Sequence, residues 1–280
     1  MGLAGHWTEI GGLQLHHSQA GQGRPLLLLH GLLGGSFCWR FNIEALAEKY
    51  AVYALDLPGA GLSDAPTETD CSMSTQAGRA FQFIQKLNLE DLTVFGTSWG
   101  GAVALLLAAM DVETESRKIR SLVLCSPVNP WSRFGKKRIK FFKSYIGSSL
   151  LKMVWPVSRP VHRIALDRVY GDPNRIAAGT LEGYASMIWR PGRVHNTLNM
   201  MKNWQADVDL LQRRIGKISI PALLIWGDKD GAVDIRSAEK LRQTIPACQL
   251  TIFPGVGHLP FEEVPDQFNE CVFEFLGRYK

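Results

Sequence analysis

A serine stands between two glycines in Gly96-Thr97-Ser98-Trp99-Gly100. The pentapeptide directly follows an apolar, strand-like run at 92–95 and directly precedes an apolar, helix-like run at 102–110. At such a junction the chain turns sharply, and side chains two positions to either side would collide with the neighbouring strand and helix. Glycine is therefore needed at both flanks, and the central residue is pushed outward. Ser98 is the candidate nucleophile for attack on a carbonyl carbon.

A serine nucleophile needs a base to take its proton and a carboxylate to orient that base. His258 lies in Gly255-Val256-Gly257-His258-Leu259-Pro260, after a strand-like run at 250–253 and before the last helix, where flanking glycines let an imidazole reach over a sheet. His30 ends another apolar run and is expected to brace its own loop rather than act as the base. His6, His16, His17, His162 and His195 have no comparable position. Trp226-Gly227-Asp228-Lys229-Asp230 closes a further apolar run and offers two carboxylates, one of which should orient His258. Charge developing on the carbonyl oxygen calls for preorganised N–H donors. The turn His30-Gly31-Leu32-Leu33-Gly34-Gly35 emerges at the same end of the sheet as Ser98. The donors are assigned to the N–H groups of Leu32, with Leu33 as its alternative, and of Trp99. Leu33 and Leu259 are expected against the substrate.

These residues must be held by a sheet. Apolar runs at 26–29, 51–55, 92–95, 121–125 and 222–226 read as parallel strands covered on both faces. Runs at 7–10 and 13–17 flank Gly11-Gly12 as an edge hairpin, and 250–253 completes eight strands. Helical patterns at 37–49, 75–87, 99–110, 235–245 and 265–276 alternate with them, implying crossovers and ligand binding beyond the carboxyl ends of the strands. From 126 to 218 the strands stop. That segment is expected to be a helical cap inserted into a core of 1–125 and 219–280. It should hold one helix over 174–189, opened by Asp172-Pro173 and stopped by Arg190-Pro191-Gly192, and another over 133–155.

With nucleophile, acid and base in this chain order, the sequence resembles the α/β-hydrolase superfamily over essentially its whole length, in the serine-nucleophile branch of carboxylesterases and lipases. Asp56-Leu57-Pro58-Gly59-Ala60-Gly61-Leu62-Ser63 is similar to the family's glycine-rich turn after its fourth strand, and Gly257-His258 followed by Glu262, Glu263 and Pro265 also fits. The resemblance implies an α/β fold: a mostly parallel eight-stranded sheet with helices on both faces and an inserted helical cap. It aligns Asp230 rather than Asp228 with the catalytic acid, although the proline that often follows is absent. Related epoxide hydrolases and haloalkane dehalogenases use an aspartate where this chain has Ser98. Hydrolases that cleave carbon–carbon bonds in ring-fission products often carry Trp after the histidine, where this chain has Leu259; Arg190 could serve as their substrate-binding arginine. The implied activity is hydrolysis of a carboxylic ester with an apolar acyl or alkyl group through an acyl-enzyme on Ser98. Carbon–carbon cleavage, or a ligand receptor with vestigial hydrolysis, is the alternative.

Composition narrows the setting. At 280 residues with 46% hydrophobic and 20% charged residues, the chain reads as one globular unit with a substantial core. Five scattered cysteines without a Cys-x-x-Cys pair point to a reducing cytoplasm and no structural metal. No Gly-x-Gly-x-x-Gly loop is present, so no nucleotide, flavin or other cofactor is expected. No secretion signal is visible, the longest apolar stretch, 99–110, is too short for a bilayer, and His6 spoils a myristoylation signal at Gly2.

The net charge of +5 is unevenly spread. Residues 117–166 hold 12 Lys and Arg and no Asp or Glu, while the rest carries 19 basic against 26 acidic residues. Over 133–155, helical spacing gathers Ile139, Phe142, Ile146, Leu150 and Met153 on one face and Arg133, Lys136, Lys137 and Lys140 on the other. The plain expectation is a cap helix whose apolar face covers the active site. The sharper one is contact with an anionic membrane, assisted by Phe141, Tyr145 and Trp155. Nucleic-acid binding is not expected, because interleaved stacking aromatics are not evident.

Overall fold

The computed structural model describes residues 4–132, 136–154 and 159–279. Eight strands form one sheet: β1 (Ala4–Ile10), β2 (Leu13–Ala20), β3 (Pro25–Leu29), β4 (Ala51–Leu55), β5 (Leu92–Thr97), β6 (Ile119–Cys125), β7 (Ala222–Gly227) and β8 (Cys248–Phe253). Their order is β1-β2-β4-β3-β5-β6-β7-β8. β2 pairs antiparallel with β1 and β4, and every other pairing is parallel. The mostly parallel eight-stranded sheet expected from the sequence is thus present, with its mixed edge at the hairpin.

Among the described residues the helices are α1 (Ile43–Ala47), α2 (Met73–Lys86), α3 (Ser98–Glu113), α4 (Lys136–Lys143), α5 (Tyr145–Val154), α6 (Arg159–Val169), α7 (Thr180–Ile188), α8 (Arg193–Lys202), α9 (Trp204–Arg214), α10 (Arg236–Thr244), α11 (Pro260–Glu263) and α12 (Pro265–Arg278). Side chains alternate across each strand, so Leu27 and Leu29 join the layer made with α2, α3, α9 and α10, whereas Leu26 and Leu28 join the layer made with α1, α11 and α12. β3, β5 and β7 are apolar nearly throughout because both of their faces are covered. α3 is buried on all sides from Ala102 to Ala109, which is why it lacks a polar stripe. Between β6 and β7 the described residues form six helices and no strand.

Three helices expected from the sequence are interrupted. The pattern at 37–49 becomes a 3-10 turn, Ser36–Trp39, followed by α1, with buried Asn42 tied to Asn269 at 3.0 Å where the chain bends. The pattern at 174–189 opens with Asp172 accepting the Asn174 N–H at 2.9 Å, but only as a 3-10 turn, Pro173–Arg175. A left-handed Gly179 (φ 80°) then restarts it as α7. The pattern at 133–155 breaks at Ser144, whose hydroxyl donates to the Phe141 carbonyl at 2.6 Å and accepts the Gly147 N–H at 3.1 Å, ending α4 and capping α5. Arg133 and Trp155 lie outside the described residues.

The basic segment also divides. Lys118 and Arg120 sit at the start of β6, away from the carboxyl ends of the strands, and pair with Glu90 and Asp91. Residues 126–218, between β6 and β7, nevertheless hold 17 Lys and Arg against 5 Asp and Glu. Among the described residues no helix is long and apolar enough to cross a membrane.

Candidate active site

Ser98 opens α3 with a left-handed φ of 53°, a conformation that costs a non-glycine residue about 1–2 kcal/mol. A Cβ on Gly100 would lie 2.3 Å from the His30 carbonyl oxygen and 2.5 Å from that of Leu29, so only glycine lets α3 approach the end of β3. A Cβ on Gly96 would strike the backbone of Gly100 and Gly101 at 2.5 and 2.6 Å. The flanking glycines are thus explained as the sequence suggested, one by the neighbouring strand and one by the helix itself.

The loop after β3 lies against the nucleophile, with a Cβ on Gly31 falling 3.1 Å from the Ser98 Cβ. His30 is buried beneath this loop. Its Nδ1–H donates to the Gly31 carbonyl at 2.8 Å and its Nε2 accepts the Leu57 N–H at 3.0 Å, an arrangement that needs the neutral ring. Burial pushes the pKa of His30 down and favours the same state. Asp56 supports the loop from below, accepting N–H groups of Ser36 at 2.5 Å and Leu62 at 2.8 Å and bonding His16 Nδ1 at 2.8 Å. Burial raises its carboxyl pKa, but the His16 hydrogen bond, nearby His30 and the two amides outweigh this and hold it below the usual range. The glycine-rich turn at 56–63 wraps this carboxylate so tightly that a Cβ on Gly61 would sit 2.1 Å from the Asp56 Cγ.

His258 follows β8, and its Nδ1–H donates to Asp230 Oδ2 at 2.9 Å. The other Asp230 oxygen accepts N–H groups of Ala232 and Val233 at 2.8 and 2.9 Å. Burial opposes ionisation of Asp230, yet His258 and these two amides bring its pKa below the usual range, so it is a carboxylate at neutral pH. Asp228 does something else: it is exposed and accepts the Gly255 N–H at 2.7 Å. The sequence alone offered both carboxylates; the geometry gives His258 to Asp230.

Two cavities meet at Leu32 and Ser98. One, about 170 Å³, reaches His258 and runs between Leu33, Leu259 and the helices α6 and α7. The other, about 210 Å³, runs past Trp99 beneath Ile139 and Phe142 of α4. Among the described residues, no Lys, Arg, Asp or Glu lines either one. The N–H of Trp99 belongs to the first turn of α3, whose amides have no intrahelical acceptor. Arg190 lies elsewhere, lining a separate surface cleft with His16, Phe37 and Arg40. His162, unremarkable in the sequence, is buried on α6 in the wall of the first cavity.

Residues 26–271 match the model of the alpha/beta hydrolase family. The chain belongs to that family. An uncharacterized protein of Mycobacterium tuberculosis is 31% identical over 271 residues, covering 92% of this chain and 76% of its own. The solved structure of the epoxide hydrolase CorEH has a TM-score of 0.86 at 23% identity over the full length of both chains, a likeness of fold. That of a membrane phospholipase A has a TM-score of 0.78 at 26% identity, covering 99% of this chain and 86% of its own.

In this alpha/beta hydrolase, two glutamates that the sequence presented only as part of a signature tie the histidine loop to the segment between β6 and β7. Buried Glu262 accepts from Arg40 and Tyr170 at 2.7 Å each and from Tyr184. Glu263 accepts the Gly257 N–H at 2.7 Å and the Gly171 N–H at 2.9 Å. Their spacing after His258 was visible, but their partners lie some 80 or more residues away in the chain, or in a turn whose geometry only the packed structure fixes.

Proposed function

We propose that the protein is a cofactor-independent serine hydrolase that cleaves an uncharged carboxylic ester with apolar arms through an acyl-enzyme on Ser98. The observation that carries this reading is the Asp230–His258 pair opening into a mostly apolar cavity that also contains Ser98. His258 takes the Ser98 hydroxyl proton as Oγ adds to the ester carbonyl, and the N–H groups of Leu32 and Trp99 receive the oxyanion. Collapse transfers the proton to the departing alkoxide and leaves an acyl-serine. Water, deprotonated by His258, then adds to the acyl carbon, and Ser98 leaves with the proton returned. The inserted helices of 126–218 act as the cap that shapes both cavities, one for the acyl group and one for the alcohol.

Ser98 argues against epoxide hydrolysis. A serine that opened an epoxide would be left as an ether, which activated water does not cleave, whereas an aspartate forms a hydrolysable ester. For carbon–carbon cleavage of ring-fission products, Leu259 stands where such hydrolases often carry Trp, and Arg190, which could serve as their substrate-binding arginine, lines a different cleft. Similarity to a phospholipase A at 26% identity favours an ester with an apolar acyl group.

The test is turnover of p-nitrophenyl esters of increasing acyl length by the wild type and by Ser98→Ala. Wild-type turnover that Ser98→Ala abolishes is the expected result. Absence of turnover on every ester would overturn the proposal and favour carbon–carbon cleavage or a receptor role.

A further inference from the structure

The amphipathic character of α5 is turned inside out. At 100° per residue, Tyr145, Ile146, Ser149, Leu150 and Met153 share one arc of roughly 140°, and Gly147 and Leu151 lie opposite. Gly147 and Leu151 are the buried pair, whereas Tyr145 is 87% exposed, Ile146 73%, Met153 71% and Leu150 44%. Gly147 fixes this orientation, since a Cβ there would meet the Phe141 carbonyl oxygen at 2.1 Å; only that side of α5 can seat against α4. The helix does not cover the active site with its large apolar residues, as its sequence led one to expect. It buries Gly147 and Leu151 and presents four large apolar side chains to solvent, a patch of the kind that marks an interaction surface.

The surroundings of the patch are cationic. Lys140, Lys143 and Lys152 are exposed on the same helix pair, and from 121 to 166 the chain has nine Lys and Arg and no acidic residue. A second copy docking through this face would set like charges against each other. A nucleic acid would satisfy the lysines but leave the aliphatic side chains without apolar contacts. An anionic bilayer supplies both phosphates and acyl chains, and a ten-residue helix is suited to lying in its surface rather than spanning it. The same helix pair roofs the second cavity through Ile139 and Phe142, which places the patch beside the route to Ser98.

We propose that α5 docks the protein on an anionic lipid surface, with Tyr145, Ile146, Leu150 and Met153 entering the acyl boundary and Lys140, Lys143 and Lys152 engaging headgroups. The test is co-sedimentation of the full chain with vesicles of equal parts phosphatidylglycerol and phosphatidylcholine, and with phosphatidylcholine alone. Binding only to the anionic vesicles is expected, falling about tenfold in high salt, in Ile146→Glu/Met153→Glu and in Lys140→Glu/Lys143→Glu. Thermal melting of each variant within a few degrees of wild type shows that the fold survives, and binding is read without turnover, so a failed esterase reading does not disturb it. No binding to anionic vesicles, binding untouched by either double substitution, or concentration-dependent self-association that Ile146→Glu abolishes in place of vesicle binding would each overturn the proposal.

Discussion

The Glu263 carboxylate accepts the N–H of Gly257 at 2.7 Å, one residue before His258. Its other oxygen accepts the Gly171 N–H at 2.9 Å just beyond α6, and the His258 N–H itself donates to the Val169 carbonyl at 2.6 Å. The loop that presents the imidazole is therefore clamped between a buried carboxylate and the end of α6. Glu263→Gln puts an N–H₂ group where one of these amides needs an acceptor. For p-nitrophenyl ester hydrolysis we expect kcat to fall about 10–100-fold with KM changed less than about threefold. Equal changes in kcat and thermal stability across a series of Glu263 variants would instead mark the clamp as purely structural.

Asp230 and Asp228 separate cleanly by contact, one bonding His258 and the other Gly255. Asp230→Asn removes the ionised partner of His258 and should lower kcat by about 10⁴, the scale seen when a triad carboxylate is neutralised. Asp228→Asn touches only an exposed turn contact to Gly255 and should leave kcat within about threefold. Steady-state kinetics on the two variants decides the assignment, and the reverse pattern would reassign the acid to Asp228.

Two glycine-to-alanine changes should move stability in opposite directions. Gly100→Ala drives a methyl into the carbonyls of Leu29 and His30, backbone that cannot step aside, and should destabilise by more than about 3 kcal/mol or prevent folding. Gly78→Ala lies within α2 with nothing inside 4 Å of the added carbon and should stabilise by about 0.5–1 kcal/mol. Chemical denaturation measures both.

Stability should also decline in mild acid because of His17. Its ring is buried against Phe83, with Nδ1 lacking a hydrogen-bond partner. Burial, then the neighbouring His6 and His16, lowers its pKa to about 4, while Asp56 opposes the shift. The unfolded chain, with an ordinary histidine pKa near 6.5, binds more protons between pH 6.5 and 4. The contribution is therefore present above pH 6.5 and is lost as pH falls through that window. Urea titrations at pH 7 and 4.5 should show this loss in the wild type and a smaller one in His17→Phe.

Features governed by local chemistry are legible in the order of residues alone. Apolar runs of strand length announced the buried strands, and Gly96 and Gly100 around Ser98 announced a turn that tolerates no side chain. The order Ser98, aspartate, His258 announced the family. Tertiary structure decided whatever depends on a partner distant in the chain. Asp228 and Asp230 are chemically equal until the turns after β7 and β8 bring one of them, and not the other, to His258 Nδ1. Glu263 became a clamp only when Gly171 packed against Gly257. The helix at 133–155 kept one continuous pattern in sequence, yet Ser144 offered its hydroxyl to the backbone, and the close approach of Gly147 to Phe141 then fixed which side of α5 is buried. Helical periodicity says which residues share a face, but only packing says which way that face points.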